Sequence, residues 1–151
     1  VDLYADSLYR FVLKNLRDAQ ASKDIVQDVF EKVWLKKSDI DFSKAKSYFF
    51  TAAYNHTVDY SRRRKDFLPA DEKLQSSQSF TQYTDLSDVV SEALNRLPDV
   101  QKAVITLRDL EGYSYEEIGT ITGLTESQVK VYIYRGRLAL KNYLVHPEFV
   151  L

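Results

Sequence analysis

No cysteine occurs anywhere in this chain of 151 residues, which excludes a disulfide framework and thiolate metal sites and suits a reducing, cytoplasmic location. Methionine is absent as well and the first residue is Val, so the chain reads as a trimmed or partial product. No apolar run approaches the roughly 20 residues that span a bilayer, and the amphipathic amino end carries no secretory signal. Only four Gly and three Pro interrupt the chain, which predicts long helices and few tight turns. His56 and His146 are isolated, with no second ligand at metal spacing. Gly112, Gly119, Gly123 and Gly136 form no phosphate-binding loop, and no nucleophile stands at catalytic spacing from a base. These absences argue against an enzyme, a metal and a cofactor.

What is present is ordinary in amount and uneven in placement. Hydrophobic residues make up 44% of the chain, enough for a buried core. The net charge is only -1, yet residues 1–65 carry 13 Lys/Arg against 9 Asp/Glu, and residues 66–85 carry 1 against 4. Residues 86–151 carry 7 against 9, with the acids concentrated before Glu117 and the bases at Lys130–Lys141. Alternating solvated helix faces would explain any single charge. Two separate basic segments, Arg62–Lys65 and Lys130–Lys141, point instead to two polyanion contacts.

Helical periodicity runs through the chain. Leu8, Phe11, Val12 and Leu16 predict a first helix over about Tyr4–Arg17. Ser22 reads as the N-cap of a second, with Asp24 in its first turn and apolar pairs at Ile25/Val26, Val29/Phe30 and Val33/Trp34. Its remaining face, Asp24, Gln27, Asp28, Glu31 and Lys32, is polar and mostly acidic. After a break around Lys37–Ser43, a third helix over Lys44–Lys65 ends in Arg62-Arg63-Arg64-Lys65, where some of the charge serves the helix dipole. Residues Asp66–Thr84 lose periodicity and read as a linker. Beyond it, one helix ends at Pro98 and another, from Val100 to Leu110, stops at Glu111-Gly112.

The stretch SYEEIGTITGLTESQVKVYIYRGRLALKNYL (114–144) has the pattern of a helix-turn-helix. Ile118 and Ile121 face inward, Gly123 reverses the chain, Leu124 plugs the turn, Thr125 caps the second helix, and Val129 and Ile133 pack it down. Glu126, Ser127, Gln128, Lys130, Val131, Tyr134 and Arg135 are left as groove-facing candidates. An αα-corner without DNA is the plainer alternative. On the third helix, aromatic residues such as Tyr54 beside a cationic track resemble single-strand binding surfaces, although most such rings belong to cores. Asn55 and His56 could bond a base edge, and Arg62–Lys65 could neutralise phosphates.

Three blocks together carry a family likeness: DIVQDVFEKVW (24–34), KSYFFTAAYNHTVDYSRRR (46–64) and LNRLPDVQKAVITLRDLEGYSYEEIGTITGLTESQVKVYIYRGRLALKNYL (94–144). In order and spacing they resemble the extracytoplasmic-function (ECF) sigma factors of bacterial RNA polymerase, with a flavour of the group common in Bacteroidetes. The resemblance implies an all-α fold of two small helical domains. A region 2-like three-to-four-helix bundle would occupy 1–65, a flexible linker 66–85, and a region 4-like helix-turn-helix domain 86–151. It implies that Asp24, Gln27, Asp28, Glu31 and Trp34 belong to the segment that docks on the clamp helices of the largest polymerase subunit, with Trp34 serving mainly as core. Asn55 and Asp59 match recurrent residues of the −10 recognition and melting segment, joined there by Tyr54, Arg62, Arg63 and Arg64. The loop Ser38–Ser47 lies where the family captures an extruded base, and Thr125–Arg137, including Lys130 and Arg137, would enter the −35 major groove.

The implied partners are core polymerase, including its flap region, promoter DNA and an anti-sigma factor. This sequence departs from the family at Val131 and Tyr132, where many relatives carry Ser and a further base, and at Tyr48, where Trp is frequent. Its start close to the first helix leaves room for missing amino-terminal residues. Two other functions compete: a stand-alone helix-turn-helix regulator, which would bind duplex tightly without polymerase, and an interaction protein whose basic helices bind acidic partners.

Overall fold

The computed structural model describes residues 2–36, 38, 44–67 and 86–145, and all regular structure among them is helical. Helix α1 (Asp2–Leu16) buries Leu8, Phe11, Val12 and Leu16, the stripe its spacing predicts. Arg17 then takes a left-handed backbone, φ 56°, unusual for a residue with a Cβ. That turn places Asp18 as the N-cap of α2 (Ala19–Leu35), accepting from the Ala21 N–H at 3.0 Å. The expected cap at Ser22 is therefore corrected. Ser22 lies inside the first turn, fully buried, and its hydroxyl donates to the Asp18 carbonyl at 2.7 Å. The Tyr60 hydroxyl donates to the other Asp18 oxygen at 3.0 Å and fastens α3 to the α1–α2 corner. The backbone bond from Ala21, then that from Tyr60, holds the Asp18 carboxyl below its ordinary pKa.

Helix α3 (Ala45–Phe67) extends past the expected boundary, so Asp66 and Phe67 are helical rather than linker. The rest of the proposed linker, 68–85, lies outside the described residues, as do 39–43 of the proposed base-capturing loop and 146–151 at the carboxyl end. Phe49, Phe50, Ala53 and Thr57 of α3 are buried. Two faces are covered at once: Phe49 meets Tyr4 and Phe30, while Phe50 meets Phe11 and, from the carboxyl-terminal half, Tyr113.

The second half begins with α4 (Leu86–Asn95), and Pro98 opens α5 (Asp99–Ile105). The expected single helix to Leu110 widens into a π-helical turn over Thr106–Leu110, closed by the Glu111 N–H on the Thr106 carbonyl at 3.1 Å. The buried Thr106 hydroxyl, on the Lys102 and Ala103 carbonyls, competes with the regular ladder there. Helices α6 (Tyr115–Thr122) and α7 (Glu126–Val145) complete the chain. On α7, Gly136 faces Ile105 so closely that an added Cβ would collide with that side chain, which brings α5 and α7 together.

One continuous apolar core runs from Leu8, Phe11 and Phe50 through Val104, Leu107 and Tyr113 to Ile118, Ile121, Val129 and Ile133. A smaller cluster of Leu94, Leu97 and Ile105 lies under the carboxyl half of α7. The two halves thus pack directly, α3 against α6 and α1 against the π-helical turn.

Candidate nucleic-acid interface

Local chemistry fixes the helix-turn-helix at each corner. Ser114 caps α6 in a reciprocal box: its Oγ accepts from the Glu117 N–H at 3.1 Å, and the Glu117 carboxylate accepts from the Ser114 N–H at 2.9 Å. Gly123, φ 80°, supplies the left-handed C-cap, and its N–H reaches the Gly119 carbonyl at 2.8 Å. Gly119 matters differently: a Cβ there would stand 2.9 Å from the Leu124 carbonyl, so only glycine lets the turn lie against the helix. Sequence reasoning missed that role, because nothing local announces a contact made five residues on. Thr125 caps α7, its hydroxyl accepting from the Gln128 N–H at 3.1 Å and its own N–H donating to Gln128 Oε1 at 2.9 Å.

This framework buries Ile118, Ile121, Val129 and Ile133 and leaves Thr125, Glu126, Ser127, Gln128, Lys130, Val131, Tyr134, Arg135 and Arg137 exposed. Tyr134 is the most open of the large hydrophobic side chains there, at 67%. Lys130 approaches Glu126 at only 3.7 Å and lies over the Tyr115 ring. Arg137 is bound more firmly, its Nε donating to Asp109 at 3.2 Å in a two-point contact with the carboxylate that keeps the guanidinium fully charged.

The second cationic segment ends α3. Asn55, Asp59 and Arg62 recur at helical spacing and line its open side, where Asn55 and Arg62 are exposed and the Asp59 side chain is nearly half exposed. Asp59 pairs with Arg62 at 2.9 Å and Arg63 at 3.1 Å, so its carboxylate organises the arginines. Arg64 donates to the Leu16 carbonyl at 3.2 Å. Tyr54 turns the other way, into a small cavity between the halves with Thr57, Ser61, Asp99 and Lys102, and burial raises its pKa. His56 is half-buried with Nε2 enclosed and unbonded, an orientation unlike the expected base-edge reader, and burial followed by Lys32 lowers its pKa.

On α2, Asp24, Gln27, Asp28 and Glu31 form an exposed, acidic face. Trp34 is 67% exposed, which corrects the expectation that it serves mainly as core; Phe30 and Val33 still pack, half-buried, against the core, and the helix end carries Trp34 and Leu35 outward. No group of three or more metal-ligating side chains stands together among the described residues, and none of their helices is long and apolar enough to cross a membrane.

Comparison with known proteins places both halves. The family described as Sigma-70 region 2 matches residues 1–67, and that described as Sigma-70, region 4 matches residues 87–140. The chain is 28% identical over 145 residues to the ECF RNA polymerase sigma factor SigM of Bacillus subtilis, covering 92% of this chain and 89% of that protein. It is 27% identical over 161 residues to SigW of the same organism, covering 95% and 86%. Its fold is similar to that of the sigma factor RpoE bound to the anti-sigma factor NepR from Bartonella quintana, with a TM-score of 0.74, 28% identity and coverage of 95% and 93%. CnrH in complex with the cytosolic domain of CnrY shares the fold at a TM-score of 0.71, 23% identity and coverage of 95% and 84%. These likenesses give no support to the narrower Bacteroidetes flavour.

Proposed function

The chain belongs to the ECF branch of the sigma-70 family of RNA polymerase sigma factors, and on that premise we propose how its surfaces divide the work of promoter-specific initiation. A sigma factor is a non-enzymatic subunit that directs polymerase to promoters, so this chain contributes position and binding energy while polymerase performs the chemistry. The acidic face of α2, with Trp34 beside it, docks on the clamp helices. The amino-terminal part of α7 enters the −35 major groove, with Lys130 and Arg135 on phosphates or base edges and Arg137 at the rim. The open side of α3, Asn55 and Asp59 with Arg62, Arg63 and Arg64, meets the −10 element and assists strand opening, with Tyr54 reached only after a change in packing.

The observation that carries this reading is the order of surfaces on one chain: an acidic helix, then two separate cationic helices, one exposed in the half matched by region 2 and the other in the half matched by region 4. Two modest sites joined covalently gain from effective concentration, so free protein binds promoter DNA poorly and holoenzyme binds it well. Polymerase as partner implies a cytoplasmic location, and the likeness to RpoE held by NepR extends the proposal to an anti-sigma protein. Initiation with purified core polymerase on promoter templates selected from a genomic library tests it; no promoter-dependent transcript would sink the reading.

A further inference from the structure

The π-helical turn that follows α5 sends three consecutive side chains to three places. Leu107 is buried in the core, the Arg108 guanidinium lies 4.7 Å from the Tyr115 ring at the start of α6, and Asp109 takes the Arg137 guanidinium of α7. Arg108 is held a second time by its Nη1, which donates to the Tyr113 carbonyl at 2.9 Å. On its other side the turn meets α1 across the seam between the halves. Widened turns of this kind recur at functional positions, and this one stands behind the helix-turn-helix with a hold on both of its helices. The Asp109 carboxylate has no share in closing the turn, which the Glu111 N–H does on the Thr106 carbonyl. Its side chain is 40% exposed and that of Arg137 48%, so the pair is open to exchange with an outside anion.

Arg137 lies two turns beyond Lys130 on one side of α7, and an open hollow of about 360 Å³ there is lined by Lys130, Arg137 and Lys141. The three cations are held unequally. Lys130 approaches Glu126 at only 3.7 Å, and Lys141 carries no ion pair among the described residues, whereas Arg137 meets both oxygens of one carboxylate. That two-point contact is the one a guanidinium offers a phosphate, so Asp109 occupies a phosphate's place. Phosphate contacts carry no sequence information, and they supply nearly all of the grip on a wrong site. Withholding one cation therefore weakens wrong sites more than right ones. Resting on the sigma-factor reading above, we infer that Asp109 is a positioning residue for promoter specificity. It keeps Arg137 from sequence-blind phosphate binding and ties α7 to the π-helical turn, so that the base-reading side chains approach from a fixed direction. Arg137 stays on Asp109 in the promoter complex.

The test uses the full-length chain assembled with core polymerase, binding a selected promoter and the same duplex with its −35 element scrambled, across a series of KCl concentrations. Asp109→Asn should raise affinity for the scrambled duplex roughly fivefold and steepen its salt slope by about 0.9, the share of one added phosphate contact. Promoter affinity should change much less, so discrimination falls by nearly the same factor. Asp109→Glu, which keeps the carboxylate, should preserve the slope of the unmodified chain. Adding Arg137→Gln to Asp109→Asn restores the net charge and should return the slope to its starting value. Glu116→Gln removes the same charge from an exposed position on α6 without freeing an arginine, and should leave the slope unchanged. An unaltered slope in Asp109→Asn, an equal gain on both duplexes, or an equal effect from Glu116→Gln would overturn the role of Asp109. Absence of any promoter preference in the unmodified holoenzyme would instead sink the sigma-factor reading, and the specificity role with it.

Discussion

The cationic ends of α3 and α7 are held by their own chain on unequal terms. At the end of α3, Arg62 and Arg63 share Asp59, Arg64 reaches the Leu16 carbonyl, and Lys65 crosses the seam to Asp99. On α7, Arg137 has Asp109 and Lys130 a loose approach to Glu126, while Arg135 and Lys141 carry no ion pair among the described residues. The α7 segment presents its charge with few internal partners, whereas any anion at the end of α3 would have to displace the partners already there. Exposed pairs contribute about 0–1 kcal/mol each, so the exchange costs little.

Removing the seam should abolish that inequality and gives the largest expected effect. Tyr113→Ala strips a buried ring from between Phe50 and Lys46 and should cost about 3 kcal/mol in urea unfolding. It should also split one transition into two as the halves unfold separately; one transition at an unchanged midpoint would show that the halves do not support each other. Next in size, Asp28→Lys with Glu31→Lys should weaken core-polymerase binding by about 2–3 kcal/mol, measured by competition for core. Duplex binding through α7 should be untouched, and the opposite pattern would reverse the assignment of the acidic and basic faces.

Lys102 gives a smaller effect with a defined sign. Burial first, moderated by Asp99, lowers its pKa from 10.5 to about 8. Below pH 8 the folded and unfolded chains both carry the proton. Between about 8 and 10.5 only the unfolded chain does, so stability rises with pH across that window. Burial shifts the Tyr113 phenol upward, so its contribution is lost as pH climbs beyond 10, and the rise is best read below that point. Lys102→Met should flatten the rise and stabilise the fold at pH 7 by on the order of 2 kcal/mol; an unchanged slope in urea midpoints against pH would exclude Lys102 as its source. The smallest effect is Lys130→Ala. It should weaken upstream duplex binding by about 1 kcal/mol and lower the salt slope by about 1, with polymerase affinity unchanged. An unaltered salt slope would remove Lys130 from the phosphate contacts.

These features were not equally legible beforehand. The helix-turn-helix could be read because its determinants are local: Gly123 at the reversal, Thr125 at the cap, and Ile118, Ile121, Val129 and Ile133 at helical spacing. The start of α2 is ambiguous in sequence because Ser22 and Asp18 both suit a cap, and the left-handed Arg17 that decides between them leaves no mark on the sequence. Phe50 and Tyr113 could not be paired from periodicity, since 62 intervening residues separate them and each is covered by the other half. Trp34 belongs to an apolar rhythm that the helix outlasts, so its composition spoke for burial and its position for exposure.

The cap on α7 also limits what that helix can ask of a base pair. With Gln128 Oε1 already accepting the Thr125 N–H, that oxygen keeps one lone pair beside the two amide hydrogens. Glutamine distinguishes adenine by giving one bond and taking another. A capped Gln128 can still do both, but the cap fixes the direction from which its oxygen takes the second bond. The first turn of α7 thereby trades part of that side chain's freedom of approach for a fixed start to the helix.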